Sequence, residues 1–146
     1  MYRSKCALAN FLDHFGDKWS LVIIRDMFLE KKTFNDFLTS PEGIASNILT
    51  NRLKSLINNK IINFKLNPLN KKVKWYYLTD IGVESFPILI EMIKWSIGNL
   101  NNDFGPHSIK WFEQNTKESN KTTSNKAISD YKIFRKKLLN DSKNHS

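Results

Sequence analysis

From Ile44 to Asn58 the apolar residues Ile48, Leu49, Leu53, Leu56 and Ile57 recur at the spacing of one helical face. No other segment constrains the fold as much, because its opposite side carries Asn47, Thr50, Asn51, Lys54 and Asn58 and no acid. With about 100° per residue and Ile48 set to zero, the apolar cluster centres near 90° and those polar residues fall between about 200° and 300°. Just upstream, Ser40-Pro41-Glu42-Gly43 is a turn by composition, and Thr33 can cap a short helix bearing Phe34, Phe37 and Leu38. Earlier still, Leu8, Leu12 and Phe15 mark a first helix that Gly16 ends. Asp17 can then cap a second helix that is apolar on most sides through Trp19, Leu21, Val22, Ile23, Ile24, Met27 and Phe28.

Beyond Asn58 the period changes. Ile61 to Leu66, a turn region at Pro68 and Asn70, and Val73 to Leu78 read as a β-hairpin. Thr79 or Asp80 restarts a helix whose stripe of Phe86, Leu89, Ile90, Ile93, Ile97 and Leu100 exceeds what a small monomeric core needs and suits a dimer interface. Residues 113–126 contain no large apolar side chain and are expected to form a solvated linker. A last amphipathic helix is expected from Ala127 to Leu139, docking on a partner subunit or fraying, with Ile128, Tyr131, Phe134 and Leu138 inward and Lys132, Arg135, Lys136 and Lys137 around them. The expected fold class is therefore mainly α with a small β-hairpin: a winged helix-turn-helix with additional N- and C-terminal dimerisation helices. Two units are expected, residues 1–100 carrying the winged helix and the dimerisation helices and residues 101–146 a C-terminal helical extension with its polar linker at 113–126.

At 146 residues, 40% of them hydrophobic, the chain has material for one core, which excludes global disorder. No apolar run approaches the roughly 18 residues of a membrane span, and the first ten residues lack the apolar stretch of a secretory signal. A cytoplasmic protein with no membrane association is expected. The lone Cys6 makes no intramolecular disulfide, and His14, His107 and His145 offer no zinc spacing, so neither a metal nor another cofactor is expected. No Ser-His-Asp, paired-carboxylate or Gly-rich phosphate signature is present at useful spacing, so no enzymatic activity is expected.

Basic residues outnumber acidic ones 23 to 14, and the five lysines between Lys60 and Leu78 (Lys60, Lys65, Lys71, Lys72 and Lys74) have no acid among them. A low-GC genome also enriches lysine and asparagine, so charge alone does not select a partner. Acid is absent from Ile44 to Asn63 as well, whereas an ordinary solvent face mixes both signs. Double-stranded DNA is thus the favoured partner. Ser46, Asn47, Thr50, Asn51 and Lys54 would face the bases or the adjacent phosphates, since amides pair with adenine and lysine with guanine or phosphate. Lys71, Lys72 and Lys74 would hold phosphates. Arg52, at the edge of the face, either clamps a phosphate or cross-braces the fold.

These segments resemble a known family. The run from Cys6 through Gly16-Asp17-Lys18-Trp19-Ser20-Leu21-Val22-Ile23-Ile24-Arg25-Asp26, Phe34-Asn35-Asp36-Phe37 and Pro41-Glu42-Gly43-Ile44 to Leu56 is similar to the HxlR family of bacterial transcriptional regulators, relatives of the MarR group. The likeness continues through Tyr76-Tyr77-Leu78-Thr79-Asp80-Ile81-Gly82 and Phe86-Pro87-Ile88-Leu89 to Trp95. It implies a homodimeric winged-helix repressor or activator on an inverted repeat, pairing through the first helix and the helices after the wing. Two-fold pairing would set the recognition helices about 34 Å apart. Departures from the pattern are Ala7 where proline is common, Lys60 where a glycine often ends the recognition helix, and Lys72-Val73-Lys74-Trp75 in a wing strand that often has proline and glutamate.

Several relatives of this kind use a cysteine at the position of Cys6 to sense electrophiles or oxidants. Here it stands at a helix start beside Lys5 and Arg3, features that favour a reactive thiolate. A small hydrophobe buried in a dimer interface is the other reading of Cys6. Two further alternatives stay open at the level of sequence. The winged helix could bind an acidic protein instead of DNA. A small-molecule effector could also lodge between the aromatic-rich helices, although large apolar residues at helical spacing are more often core.

Overall fold

Gly16 ends the first helix as its position predicts: its N–H reaches the Leu12 carbonyl at 2.7 Å and closes α1 (Ala7–Phe15). The computed structural model describes residues 3–141, so His145 and the extreme ends of the two expected units lie outside the described residues. After α1 come α2 (Ser20–Phe28), α3 (Phe34–Leu38) and α4 (Ser46–Asn58), then an antiparallel hairpin of β1 (Ile62–Asn67) and β2 (Asn70–Leu78). Four further helices follow: α5 (Asp80–Val83), α6 (Phe86–Asn99), α7 (Pro106–Asn115) and α8 (Asn120–Asn140). The fold is a winged helix-turn-helix, mainly α with one small hairpin.

Local chemistry sets most boundaries. Asp17 accepts N–H bonds from Trp19 and Ser20, both at 2.8 Å, and so satisfies the free donors at the start of α2. Thr33 and Asp36 form a reciprocal capping box on α3. Gly43 adopts φ +70°, a left-handed conformation that lets the chain turn sharply into α4. At the other end of α4, Lys60 takes φ +61°, so a side chain bears the conformation for which the resemblance expects glycine. The single helix expected after the wing is two. A short turn, capped by Thr79 and closed by Gly82, precedes α6, whose first turn holds Pro87. Gly82 lies so close to the Ile61 carbonyl that a Cβ would stand 2.1 Å from it, which pins α5 to the base of the hairpin.

The core joins Ile23, Ile24 and Met27 of α2 with Phe37 of α3, Leu49, Leu53 and Leu56 of α4, and Ile62, Tyr76 and Leu78 of the hairpin. In the hairpin, Ile62 pairs with Leu78, Phe64 with Tyr76 and Leu66 with Lys74. Their side chains therefore share one face, and it turns toward the core at its base.

The C-terminal region departs from expectation twice. Residues 113–126 are mostly helix, with only 116–119 between α7 and α8. The Ser119 hydroxyl accepts the Thr122 N–H at 3.1 Å and starts α8, and the small residues Thr123 and Ser124 are buried. Asn120 bridges Lys94 and Glu91 of α6. Tertiary packing thus stabilises a segment with no large apolar residue. The second departure concerns what α8 packs on: it docks on its own chain. Tyr131 is 3% exposed, joins the core and accepts the Leu78 N–H at 2.7 Å. Arg135 donates to the Leu78 carbonyl at 2.9 Å and to Asp80 at 2.7 Å, and Lys65 donates to the Leu138 carbonyl at 2.8 Å. Three of these hydrogen bonds hold α8 to the hairpin, and the fourth holds it to the start of α5.

Candidate nucleic-acid interface

Leu49, Leu53 and Leu56 anchor α4 in the core, which leaves Ser46, Asn47, Thr50, Asn51 and Lys54 exposed together on its outer side. Thr50 donates its hydroxyl proton back to the Ser46 carbonyl at 2.9 Å. Its methyl group and oxygen lone pairs remain available. Among the described residues nothing hydrogen-bonds to the side chains of Asn47, Asn51 or Lys54. The outer side thus offers two amides, a methyl and an ammonium. No carboxylate occurs from Gly43 to Thr79.

Arg52 behaves as a brace. Its guanidinium lies 3.3 Å from Asp17, tying α4 to the start of α2. Burial pushes the Asp17 carboxyl up, but bonds from the Ser20 hydroxyl and from the Trp19 and Ser20 N–H groups, with the Arg52 charge, outweigh it. The group is held below the usual carboxylate range.

A second set of charges fixes the turn that leads into α4. Asp26 is 1% exposed and pairs with Arg25 at 2.9 Å and Lys31 at 3.6 Å, while the Ser40 hydroxyl donates to it. Arg25 also reaches Glu42 with two bonds, of 2.5 and 3.0 Å. The Arg25 guanidinium holds the Glu42 carboxyl below its usual range. These residues touch the loop and not the outer face, so they aim α4 without belonging to the surface it presents. The reading of the sequence missed them. The available signal was a carboxylate, Asp26, in a helix that is apolar on most sides, where an unpaired charge is costly.

On the hairpin, Lys71, Lys72 and Lys74 are exposed. Lys74 lies 4.5 Å from the centre of the Phe64 ring, a cation–π contact that limits its sweep. Lys72 and Lys74, with Thr33, Phe34 and Asn35, line a cleft of about 260 Å³ between α3 and β2. On the other face of the hairpin, Trp75 has Lys32 at 4.0 Å and Lys65 at 5.4 Å. The Lys32 carbonyl accepts the Tyr76 N–H at 2.7 Å, so the segment before α3 braces β2 at its free edge.

Cys6 belongs to a different element. It is exposed at the N-cap of α1, and its N–H reaches the Ser4 hydroxyl at 3.0 Å. Neighbouring Arg3 is engaged by Asp13 at 3.2 Å. No residue of α1 is buried, and Leu8 and Leu12 are 66% and 46% exposed. The same holds for the outer side of α6, where Met92 and Trp95 are 50% and 61% exposed.

This arrangement matches a family of known architecture: residues 14–104 fit the HxlR-like helix-turn-helix pattern. The chain belongs to the HxlR-like helix-turn-helix family. An uncharacterised HTH-type transcriptional regulator of Synechocystis is 32% identical over 89 residues, which cover 61% of this chain and 66% of that protein. The chain thus matches slightly less than two thirds of that relative's length. Among solved structures, PA1607, a candidate transcription factor, is similar with a TM-score of 0.62 and 33% identity, covering 71% of this chain and 70% of its own. The redox regulator HypR in its reduced form is similar with a TM-score of 0.58 and 27% identity, over 66% of this chain and 95% of its own. The fold of this HxlR-type chain is of the winged-helix class, and the relatives it matches are described as HTH-type transcriptional regulators. Helix α8 lies beyond the matched residues. Among the described residues no helix is long and apolar enough to cross a membrane.

Proposed function

We propose that the protein is a homodimeric, sequence-specific DNA-binding regulator, working in the cytoplasm on an inverted-repeat operator. Each subunit lays α4 in the major groove, with Asn47, Asn51 and Lys54 toward base edges, and sets the hairpin lysines on the backbone. The observation that carries this reading is the exposed amide, methyl and ammonium side of α4, continuous with a lysine-bearing hairpin and free of carboxylates from Gly43 to Thr79. Arg52 acts through position: held by Asp17, it keeps α4 at a fixed angle to α2.

The dimer reading rests on the apolar faces left open on α1 and α6. Leu8 and Leu12 on α1, and Met92 and Trp95 on α6, are all exposed, apolar surface that a second copy of the chain would cover. Cys6 is exposed at the start of α1, where an adduct or an intersubunit disulfide would change how two α1 helices meet. The likeness to a redox regulator supports thiol sensing.

Binding to duplexes selected from a random library tests the reading. Asn47→Ala or Asn51→Ala is expected to flatten base preference at individual positions, each by about 1–3 kcal/mol of discrimination. A Lys71→Ala, Lys72→Ala protein should bind every duplex more weakly, with the slope of log K against log salt falling by about 0.9 for each phosphate no longer neutralised. If the amide variants select the same sequences with the same stringency as the parent, another element reads the bases.

A further inference from the structure

The most exposed large apolar side chain among the described residues is Leu69, at 80%. It stands at the tip of the hairpin, between Pro68 and Asn70, with Leu66 47% exposed beside it. Both ends of this turn are held by side chains. Asn67 accepts the Leu69 N–H at 2.9 Å, and Asn70 accepts the Lys72 N–H at 3.2 Å. An isolated exposed leucine needs no explanation. One presented on a braced turn, beside Lys71 and Lys72 on a hairpin without acids, is placed to enter something apolar that is surrounded by negative charge. The gap between two base pairs opened from the minor-groove side, with a phosphate backbone on either hand, has that character.

Reach agrees with this occupant. Leu69 stands seven positions beyond Ile62, and at about 3.3 Å per residue the tip extends at most roughly 23 Å from the base of the hairpin. Half a turn of duplex, the step from a major groove to the adjacent minor groove, is about 17 Å. Because β1 begins directly after α4, a helix seated in the major groove carries the tip to the flanking minor groove.

We propose that Leu69 is an apolar wedge for the minor groove flanking each half-site. This rests on the reading that α4 occupies the major groove. The side chain enters at a flexible pyrimidine–purine step, partly unstacks it and bends the duplex, while Lys71 and Lys72 grip the phosphates on either side. Leu69 thereby sets a preference for TA or CA flanks without a hydrogen bond to any base.

The test uses the full-length protein and duplexes selected by it, each made with TA or GG steps in the flank and with 2-aminopurine at the flanking step. The parent is expected to bind the TA form about tenfold tighter, a loss for GG comparable to one mismatched base pair. Binding should raise 2-aminopurine fluorescence and shorten the end-to-end distance read by energy transfer. Leu69→Ala should lose the flank preference, the fluorescence rise and most of the bend, while keeping the thermal midpoint and the base preference conferred by α4. Leu69→Met, which still offers an apolar wedge, should keep all of them. If the parent binds with a base preference that depends on Asn47 and Asn51, yet Leu69→Ala matches it in flank preference and fluorescence, the wedge is overturned and the DNA-binding reading stands. A parent that binds no duplex overturns both.

Discussion

Tyr131→Phe isolates what α8 does for the hairpin. The hydroxyl accepts the Leu78 N–H at 2.7 Å, and Leu78 is fully buried. Phenylalanine keeps the ring in place against Phe28 at 5.4 Å and Phe134 at 5.7 Å, so the substitution removes one acceptor and little else. A buried N–H left without a partner costs about 1–3 kcal/mol. In a domain of this size each kcal/mol moves the melting midpoint by about 2–4 °C, so the variant should melt roughly 2–12 °C below the parent. Calorimetry at pH 7 reads this directly.

An alkaline signature accompanies the loss. Burial pushes the Tyr131 hydroxyl from 10.0 up to about 12. Its proton is held more tightly in the folded chain than in the unfolded one. The corresponding stability is fully present below pH 10.0 and is lost as pH rises toward and through about 12. Since the phenylalanine variant has no such group, the gap in stability between parent and variant should narrow across that window. Equal midpoints at pH 7, together with parallel alkaline curves, would refute the docking of α8 on the base of the wing.

Other expectations follow from the same contacts. Asp26→Ala breaks the buried charge cluster beneath the turn at residues 40–43 and should cost at least about 3 kcal/mol in urea unfolding. Glu42 and Asp17 are held below their ordinary values, so they stabilise the fold above the unfolded carboxyl range. That contribution fades as pH falls below about 4, and Glu42→Gln should shallow the acid limb of the stability profile. Lys60→Gly, at φ +61°, should raise stability by up to about 1 kcal/mol while the fold is unchanged. Cys6→Ser should abolish any change in DNA affinity caused by diamide; a variant that responds as the parent does would show that sensing lies elsewhere.

The parts of the fold that were legible in the sequence are those that local chemistry decides. Gly16, Thr33 with Asp36, and the switch from helical to alternating period after Asn58 mark their elements without help from distant residues. The start of α8 was not legible by apolar period, because Thr123 and Ser124 are buried through small size rather than hydrophobicity. Ser119 was the available cap signal. The break between α5 and α6 was announced only by Pro87. The outer residues of α4 could be placed on one side from spacing alone, but spacing could not say whether Arg52 pointed outward. That depended on Asp17, which sits 35 positions away in sequence and 3.3 Å away in space.

The central claim is that two copies of α4 lie in major grooves related by a two-fold axis. An iron chelate tethered at Asn58→Cys, in a Cys6→Ser background, generates hydroxyl radicals at the exposed end of that helix. Cleavage of the selected duplex is expected in two clusters mirrored about one centre, both on the same face of the DNA. A single cluster, or cleavage spread evenly along the duplex, would contradict the account.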